Sequence, residues 1–168
     1  MVEDSDSPTS PNLSAPKGGE EISISITDAP DDEAHRVIEG GLGDYNEKQA
    51  GYRDWRPLAV LARDPASGRV IGGFLGRTSL GLLFIDLVYL PDNRRGQNLG
   101  GRMLALMEDE GARRGCRSGV LYTISFQAPG FYERHGWREF GRIACDPPGT
   151  SRVFMTKELR PAAAASTG

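Results

Sequence analysis

The sequence predicts an α/β fold in one domain: a mixed sheet with helices on both faces. Three observations predict it. Short apolar runs alternate with turn chemistry, one stretch has the spacing of an amphipathic helix, and a glycine-rich junction joins a strand to that helix. A length of 168 residues suits one domain better than two. With 38% hydrophobic and 26% charged residues the chain is close to an ordinary soluble globular protein, and its apolar content is concentrated away from the ends, where it can form a core.

Residues 1–19 hold Ser, Pro, Asp and Gly with little to bury and predict a disordered tail; residues 160–168, with the Ala run, predict another. The folded domain is expected over 20–159. In EISISIT, Ile22, Ile24 and Ile26 alternate with serines, the period of a half-buried strand. A short helix should begin near Asp31 and end at Gly40, Gly41 and Gly43, with 44–56 a loop or short helix. Residues 57–63 and 69–77 read as a hairpin across Asp64–Gly68. LLFIDLVYLP (82–91) reads as a strand buried on both faces. Leu99, Met103, Leu106 and Met107 recur at helical spacing, and Gly115 stops that helix. VLYTI (120–124) is the next strand. A short helix around 127–135 follows, then strands at 136–142 and 151–159.

Several functions are excluded first. A net charge of −3 and a pI near 5.4 argue against general nucleic-acid binding, which needs excess Lys and Arg. Cys116 and Cys145 are unclustered and only His35 and His135 accompany them, so no metal site is expected and both thiols should be free. No apolar run is long enough to span a bilayer, and the N-terminus is acidic where a signal peptide would be basic. A soluble, cytoplasmic protein without membrane partners is expected.

The most informative segment is Arg95-Gly96-Gln97-Asn98-Leu99-Gly100-Gly101, between a strand and the amphipathic helix. A helix start carries unpaired N–H groups and partial positive charge, and glycine lets backbone approach a ligand closely. With Arg94 and Arg95 alongside, the unit suits a diphosphate; as a bare motif it serves equally as a tight connection. It has neither the Gly-Lys-Ser/Thr ending of a P-loop nor the dinucleotide GxGxxG spacing.

At this point the sequence resembles the GNAT superfamily of N-acetyltransferases, whose members carry Arg/Gln-x-x-Gly-x-Gly/Ala at this junction. Arg95 takes the first position and Gly100 the last, with Asn98 in place of the middle glycine, a substitution that left-handed backbone tolerates. A second match runs over Ser125–Trp137: Ala128, Phe131, Tyr132, Gly136 and Trp137 fit the family's pattern, and Ser125 stands where Asn is usual. The resemblance covers roughly residues 20–159 and implies a mostly antiparallel, twisted GNAT-like sheet.

It also implies roles. Acetyl-CoA is the expected co-substrate, its pyrophosphate held by Arg95, Gly96, Gln97, Asn98, Leu99, Gly100 and Gly101. Its pantetheine arm would pair with backbone at Val88, Tyr89 and Leu90, and Ser125 would add a contact. Tyr132 is expected to protonate the leaving thiolate; read without the family it is a core aromatic beside Phe131. Asp86, inside an apolar run, is a candidate base or a carboxylate paired with an arginine. Glu33, Asp44, Tyr45 and Glu47 are further candidates, since that region shapes the acceptor pocket in relatives. His135 should pack at a helix end or face solvent. Tyr52 and Trp55 either line an acceptor pocket or cover the core, the latter preferred. Glu108–Glu110 with Arg113 and Arg114 read as a solvated helix face.

The expected reaction moves an acetyl group from acetyl-CoA to a primary amine, by direct attack in a ternary complex. The expected acceptor is a small molecule, a peptide N-terminus or a lysine; a small molecule, cationic to suit the acidic chain, is preferred, and many relatives are homodimers. Two alternatives stand beside it: a non-catalytic acyl-CoA-binding module, and transfer of a longer acyl group with room made by Gly72, Gly73 and Gly76.

Overall fold

The computed structural model describes residues 22–94 and 96–159, so both expected tails and Arg95 lie outside the described residues. The chain divides into two compact units, Met1–Arg53 and Asp54–Gly168.

In the first unit, helix α1 spans Asp32–Ala50 and runs straight through Gly40, Gly41 and Gly43, which were expected to end it. Each glycine costs a helix up to about 1 kcal/mol. Strong ends offset that cost. Asp31 accepts a hydrogen bond from the Ala34 N–H at 2.8 Å, and Asp32 and Glu33 follow in the first turn. The stop comes at Gly51, left-handed at φ 82°, whose N–H reaches the Glu47 carbonyl at 2.8 Å. Arg53 ties back to Asp44 and, at 2.9 Å, to Glu47. The strand expected at Ile22–Ile26 does not form, and its three isoleucines are exposed. Alternation marks a residue's readiness for a sheet, but a strand's N–H and C=O groups need a neighbouring strand, and no ladder among the described residues includes this segment.

The second unit holds a six-stranded sheet in the order β1-β2-β3-β4-β6-β5. The strands are β1 Arg56–Arg63, β2 Val70–Ser79, β3 Leu82–Tyr89, β4 Ser118–Ile124, β5 Arg138–Cys145 and β6 Thr150–Glu158. Only β3 and β4 are parallel; the other pairs are antiparallel, giving the mixed, mostly antiparallel sheet that was expected. The parallel pair requires a crossover, and helix α2, Leu99–Arg113, supplies it. Helix α3, Pro129–Arg134, follows β4.

Helix α2 lies on one face of the sheet and buries Met103, Leu104 and Met107 with Phe74, Leu83, Val153 and Met155. Two glycines bring the layers together. A methyl on Gly111 would fall 3.1 Å from Leu83 Cδ2, and one on Gly119 would fall 2.5 Å from the buried Trp137 ring. The charged side of α2, read as a solvated face, does structural work. Glu108 accepts the Trp137 indole N–H at 2.8 Å and pairs with Lys157 at 2.5 Å. Glu110 holds both Arg113 and Arg114, and Arg114 reaches on to the Pro57 carbonyl and Thr78 hydroxyl in β1 and β2. Long side chains on the flank of a buried helix can reach neighbouring strands, which the spacing of charges alone does not reveal.

The run 82–91 is not buried on both faces as expected. Leu83 and Ile85 are buried, while Asp86–Tyr89 are exposed. The pairing with β4 ends at Ile85↔Leu121, and beyond it the two parallel strands part.

Candidate active site

Where β3 and β4 part, a cleft of ≈ 1010 Å³ opens. A bulge shapes one wall. The β2–β3 register passes from Gly76↔Ile85 to Leu75↔Leu87, so Asp86 is an extra residue in β3. In a regular strand of this sequence Leu87 would share the α2 face with Ile85; the bulge gives that face to Val88, paired with the buried Phe74. Gly76 permits the bulge, since a Cβ there would lie 2.0 Å from the Phe84 carbonyl oxygen. Gly72 and Gly73 likewise meet the Tyr89 and Val60 carbonyl oxygens at 2.6 Å. These glycines serve close strand approach, so the room expected from them for a longer acyl chain is not there.

The N-terminus of α2 forms one end of the cleft. A 3₁₀ turn at Asp92–Arg94 leads into it. Gly96 has φ 78° and Asn98 φ 54°, so asparagine occupies the left-handed position where the family pattern has glycine. The Asn98 side chain makes no cap hydrogen bond, which leaves the first-turn N–H groups of α2 available to a ligand. Gly96, Asn98, Leu99, Gly100 and Gly101 all line the cleft; Gln97 does not. A methyl on Gly101 would fall 2.6 Å from both Asn98 Oδ1 and His135 Nε2, and one on Gly100 would touch Phe131 and Leu90 at 3.4–3.5 Å.

The opposite wall comes from β4 and α3. Tyr132 is 6% exposed, packs edge-on against Phe131 with ring centroids 5.0 Å apart, and lines the cleft. Its hydroxyl has no hydrogen-bond partner among the described residues. Burial pushes its pKa up to about 12, so the phenol keeps its proton at neutral pH. His135 packs at the end of α3 as expected, with Nδ1 2.8 Å from the Phe131 carbonyl oxygen.

Other candidates fare differently. Asp86 lines the cleft, but it is exposed and held by Arg77 Nη1 at 2.6 Å from each carboxylate oxygen, so the paired-arginine reading applies. Ser125 does not line the cleft; it extends the β4–β6 ladder, exchanging hydrogen bonds with the Ser151 backbone at 2.9 and 3.1 Å. Asp44 and Glu47 are engaged by Arg53, and Glu33 and Tyr45 lie on α1. Tyr52 and Trp55, preferred as core cover, are both more than half exposed. Cys116 is buried just before β4, its thiol pKa raised by that burial, and Cys145 ends β5. Among the described residues no group of His, Cys, Asp and Glu could hold a metal, and no helix is long and apolar enough to cross a membrane.

Sequence reasoning missed Tyr122, Phe126, Gln127 and Arg152. Gln127 accepts hydrogen bonds from Thr123 and the Ile124 N–H, closing the end of β4. Tyr122 and Arg152 alternate with core residues on β4 and β6, and that alternation was the available signal for an outward, cleft-facing row.

Comparison with known proteins shows the family. The family model described as "Acetyltransferase (GNAT) family" matches residues 25–137. The chain belongs to the GNAT acetyltransferase family. It is 32% identical over 134 residues to acetyltransferase Atu2258 of Agrobacterium fabrum, covering 80% of this chain and 97% of that protein. It is 36% identical over 107 residues to the blasticidin-S acetyltransferase of Streptomyces morookaense, covering 62% and 79%. The fold matches a Bacillus cereus acetyltransferase structure with TM-score 0.65 and 26% identity, over 80% of this chain and 98% of that one. As a GNAT acetyltransferase the protein is an acyltransferase enzyme, and its open β3–β4 seam beside the α2 N-terminus is the candidate site of transfer.

Proposed function

We propose that this enzyme transfers an acetyl group from acetyl-CoA to a primary amine of a small molecule, by direct attack in a ternary complex. The observation that carries the reading is the parting of β3 and β4 after Ile85 and Leu121, directly beside the glycine-lined start of α2. A cleft with a helix N-terminus at one end suits a long cofactor arm ending in phosphates. The relative that acetylates blasticidin S supports a small-molecule acceptor.

In this reading the first-turn N–H groups of α2, with Gly96, Asn98, Gly100 and Gly101, hold the pyrophosphate. Backbone at Val88, Tyr89 and Leu90 takes the pantetheine arm and directs an N–H at the carbonyl oxygen as negative charge develops on it. The free amine attacks the thioester carbon. The C–S bond breaks, the nitrogen gives up a proton to solvent, and the Tyr132 phenol protonates the departing thiolate, giving the amide and CoA thiol. Tyr132 suits that part because burial keeps its proton on and its hydroxyl is not committed elsewhere. Among the described residues Asp86 is the one carboxylate lining the cleft. Both of its carboxylate oxygens are engaged by Arg77, so no proton is routed through it. A non-catalytic binding module would have no use for an uncommitted tyrosine hydroxyl in the cleft.

Calorimetric titration with acetyl-CoA, with NADH and ATP as controls, tests the cofactor assignment. Selective, saturable binding is expected, and Gly100→Val should abolish it, because its branched side chain would crowd Phe131, Leu90 and the ligand's approach to the helix start. Unaltered affinity in that variant would contradict the cradle.

A further inference from the structure

We infer that the acceptor amine also carries a carboxylate, and that Arg152 is the residue that recognises it. The inference rests on the N-acetyltransferase reading and names the substrate class of the same site.

Arg152 lines the cleft and forms no ion pair among the described residues. Arg77 is bound to Asp86, and Arg142 to Glu139 and Ser151. Arg134 also lines the cleft without an ion pair among the described residues, and Arg152 differs from it in being held over an aromatic ring. Its guanidinium lies over the Tyr122 ring, 4.9 Å from the centroid. Stacking occupies the face of the guanidinium and leaves its edge, with parallel N–H groups, free to grip a carboxylate with two hydrogen bonds. The stack also fixes the side chain, so less entropy is lost when the anion arrives.

The side of the sheet distinguishes an acceptor contact from a cofactor contact. Val153, Thr123 and Leu121 point to the α2 face and are buried. Arg152 pairs with Ile124, and Tyr122 with Phe154, on the other face. The phosphate cradle belongs to the α2 side. Arg152 therefore stands across the sheet from the phosphates, where the acceptor meets the thioester. Exposed Phe126, which lines the cleft, and half-buried Phe154, whose ring packs against Tyr122, add flat apolar surface for the acceptor's body. Among the described residues lining the cleft the one acidic group, Asp86, is paired with Arg77, so no unpaired carboxylate there repels an acceptor carboxylate.

The test uses three matched pairs of amines: phenylalanine and phenylalaninamide, lysine and lysinamide, β-alanine and β-alaninamide. Release of CoA thiol gives kcat/KM for each with the wild-type enzyme, Arg152→Gln and Arg152→Lys, and calorimetry gives acetyl-CoA affinity. Wild type should prefer the acid of at least one pair by roughly 10- to 100-fold, the discrimination expected of a charge-assisted pair. Arg152→Gln should erase that preference mainly through KM, Arg152→Lys should restore part of it, and acetyl-CoA affinity should stay unchanged in both. Equal or better use of the amides by wild type overturns the proposal, as does an Arg152→Gln variant that slows acid and amide alike. If acetyl-CoA binds but no amine releases thiol, the N-acetyltransferase reading fails and this proposal fails with it.

Discussion

Replacing Gly76 with alanine puts one methyl group at the point where β2 and β3 approach most closely. The added Cβ would sit 2.0 Å from the Phe84 carbonyl oxygen and 3.1 Å from its carbonyl carbon. Carbon and oxygen on adjacent strands normally stay about 3.3 Å apart or more. The strands must therefore separate by roughly 1.3 Å locally, which carries a ladder hydrogen bond beyond bonding range. The obstacle is backbone, so no side chain can swing away to relieve it. Overpacking together with a lost buried hydrogen bond should cost roughly 2–4 kcal/mol. For a domain of this size that lowers the melting temperature by about 10 °C. The damage falls beside the Asp86 bulge, which sets the facing of Val88 along the cleft, so acetyl-CoA affinity should fall as well. Thermal unfolding followed by circular dichroism, with calorimetric titration of acetyl-CoA, measures both. A melting temperature within about 2 °C of wild type would show that the strands separate at little cost, and the argument from close approach would be wrong.

Tyr132→Phe should leave stability nearly unchanged, because the hydroxyl bonds to no other described residue, while kcat falls by about 10²–10⁴-fold with acetyl-CoA affinity kept; a rate close to wild type removes Tyr132 from the mechanism. Since its pKa is raised to about 12, the wild-type kcat–pH profile should show no descending limb from this group below about pH 10, and a limb near neutrality that disappears in Tyr132→Phe would contradict the assignment. Hydrogen bonds from Arg113 and then Arg114 hold Glu110 at about 2, below its ordinary 4.5. That stabilisation is present above the unfolded value and is lost as pH falls through the folded one. Urea unfolding of wild type and Glu110→Gln should differ by about 1 kcal/mol at neutral pH, with the gap closing below pH 4.5, and a gap that ignores pH would argue that packing of Arg114 alone is responsible.

The elements of the second unit were legible in the sequence because each carried its own local signal. Leu99, Met103 and Met107 mark α2, Asp64–Gly68 marks the β1–β2 hairpin, and the strands ended within a few residues of their expected bounds. The glycine-rich start of α2 that lines the cleft was legible for the same reason: Gly96, Asn98 and Gly100 lie within five residues of one another in the chain. Features that depend on what a segment meets were not. Ile22, Ile24 and Ile26 have the alternation of a strand but no partner. Gly40, Gly41 and Gly43 do not break a helix whose ends are well capped. The apolar run of β3 hides the place where β4 leaves it, because divergence belongs to two strands together. Arg152 and Tyr122 come from strands about thirty residues apart, and only the antiparallel β4–β6 register sets one over the other.

The open seam between β3 and β4 bears on how this protein survives as well as on what it transforms. A sheet that lacks cross-strand bonds along half of one strand is incomplete as a folded object, and whatever fills the gap adds to its cohesion. A tightly bound occupant at a hundred times its dissociation constant would raise unfolding free energy by about 2.7 kcal/mol. The cell's supply of acyl donor would then set the lifetime of the enzyme, with starved molecules unfolding and being degraded sooner than fed ones.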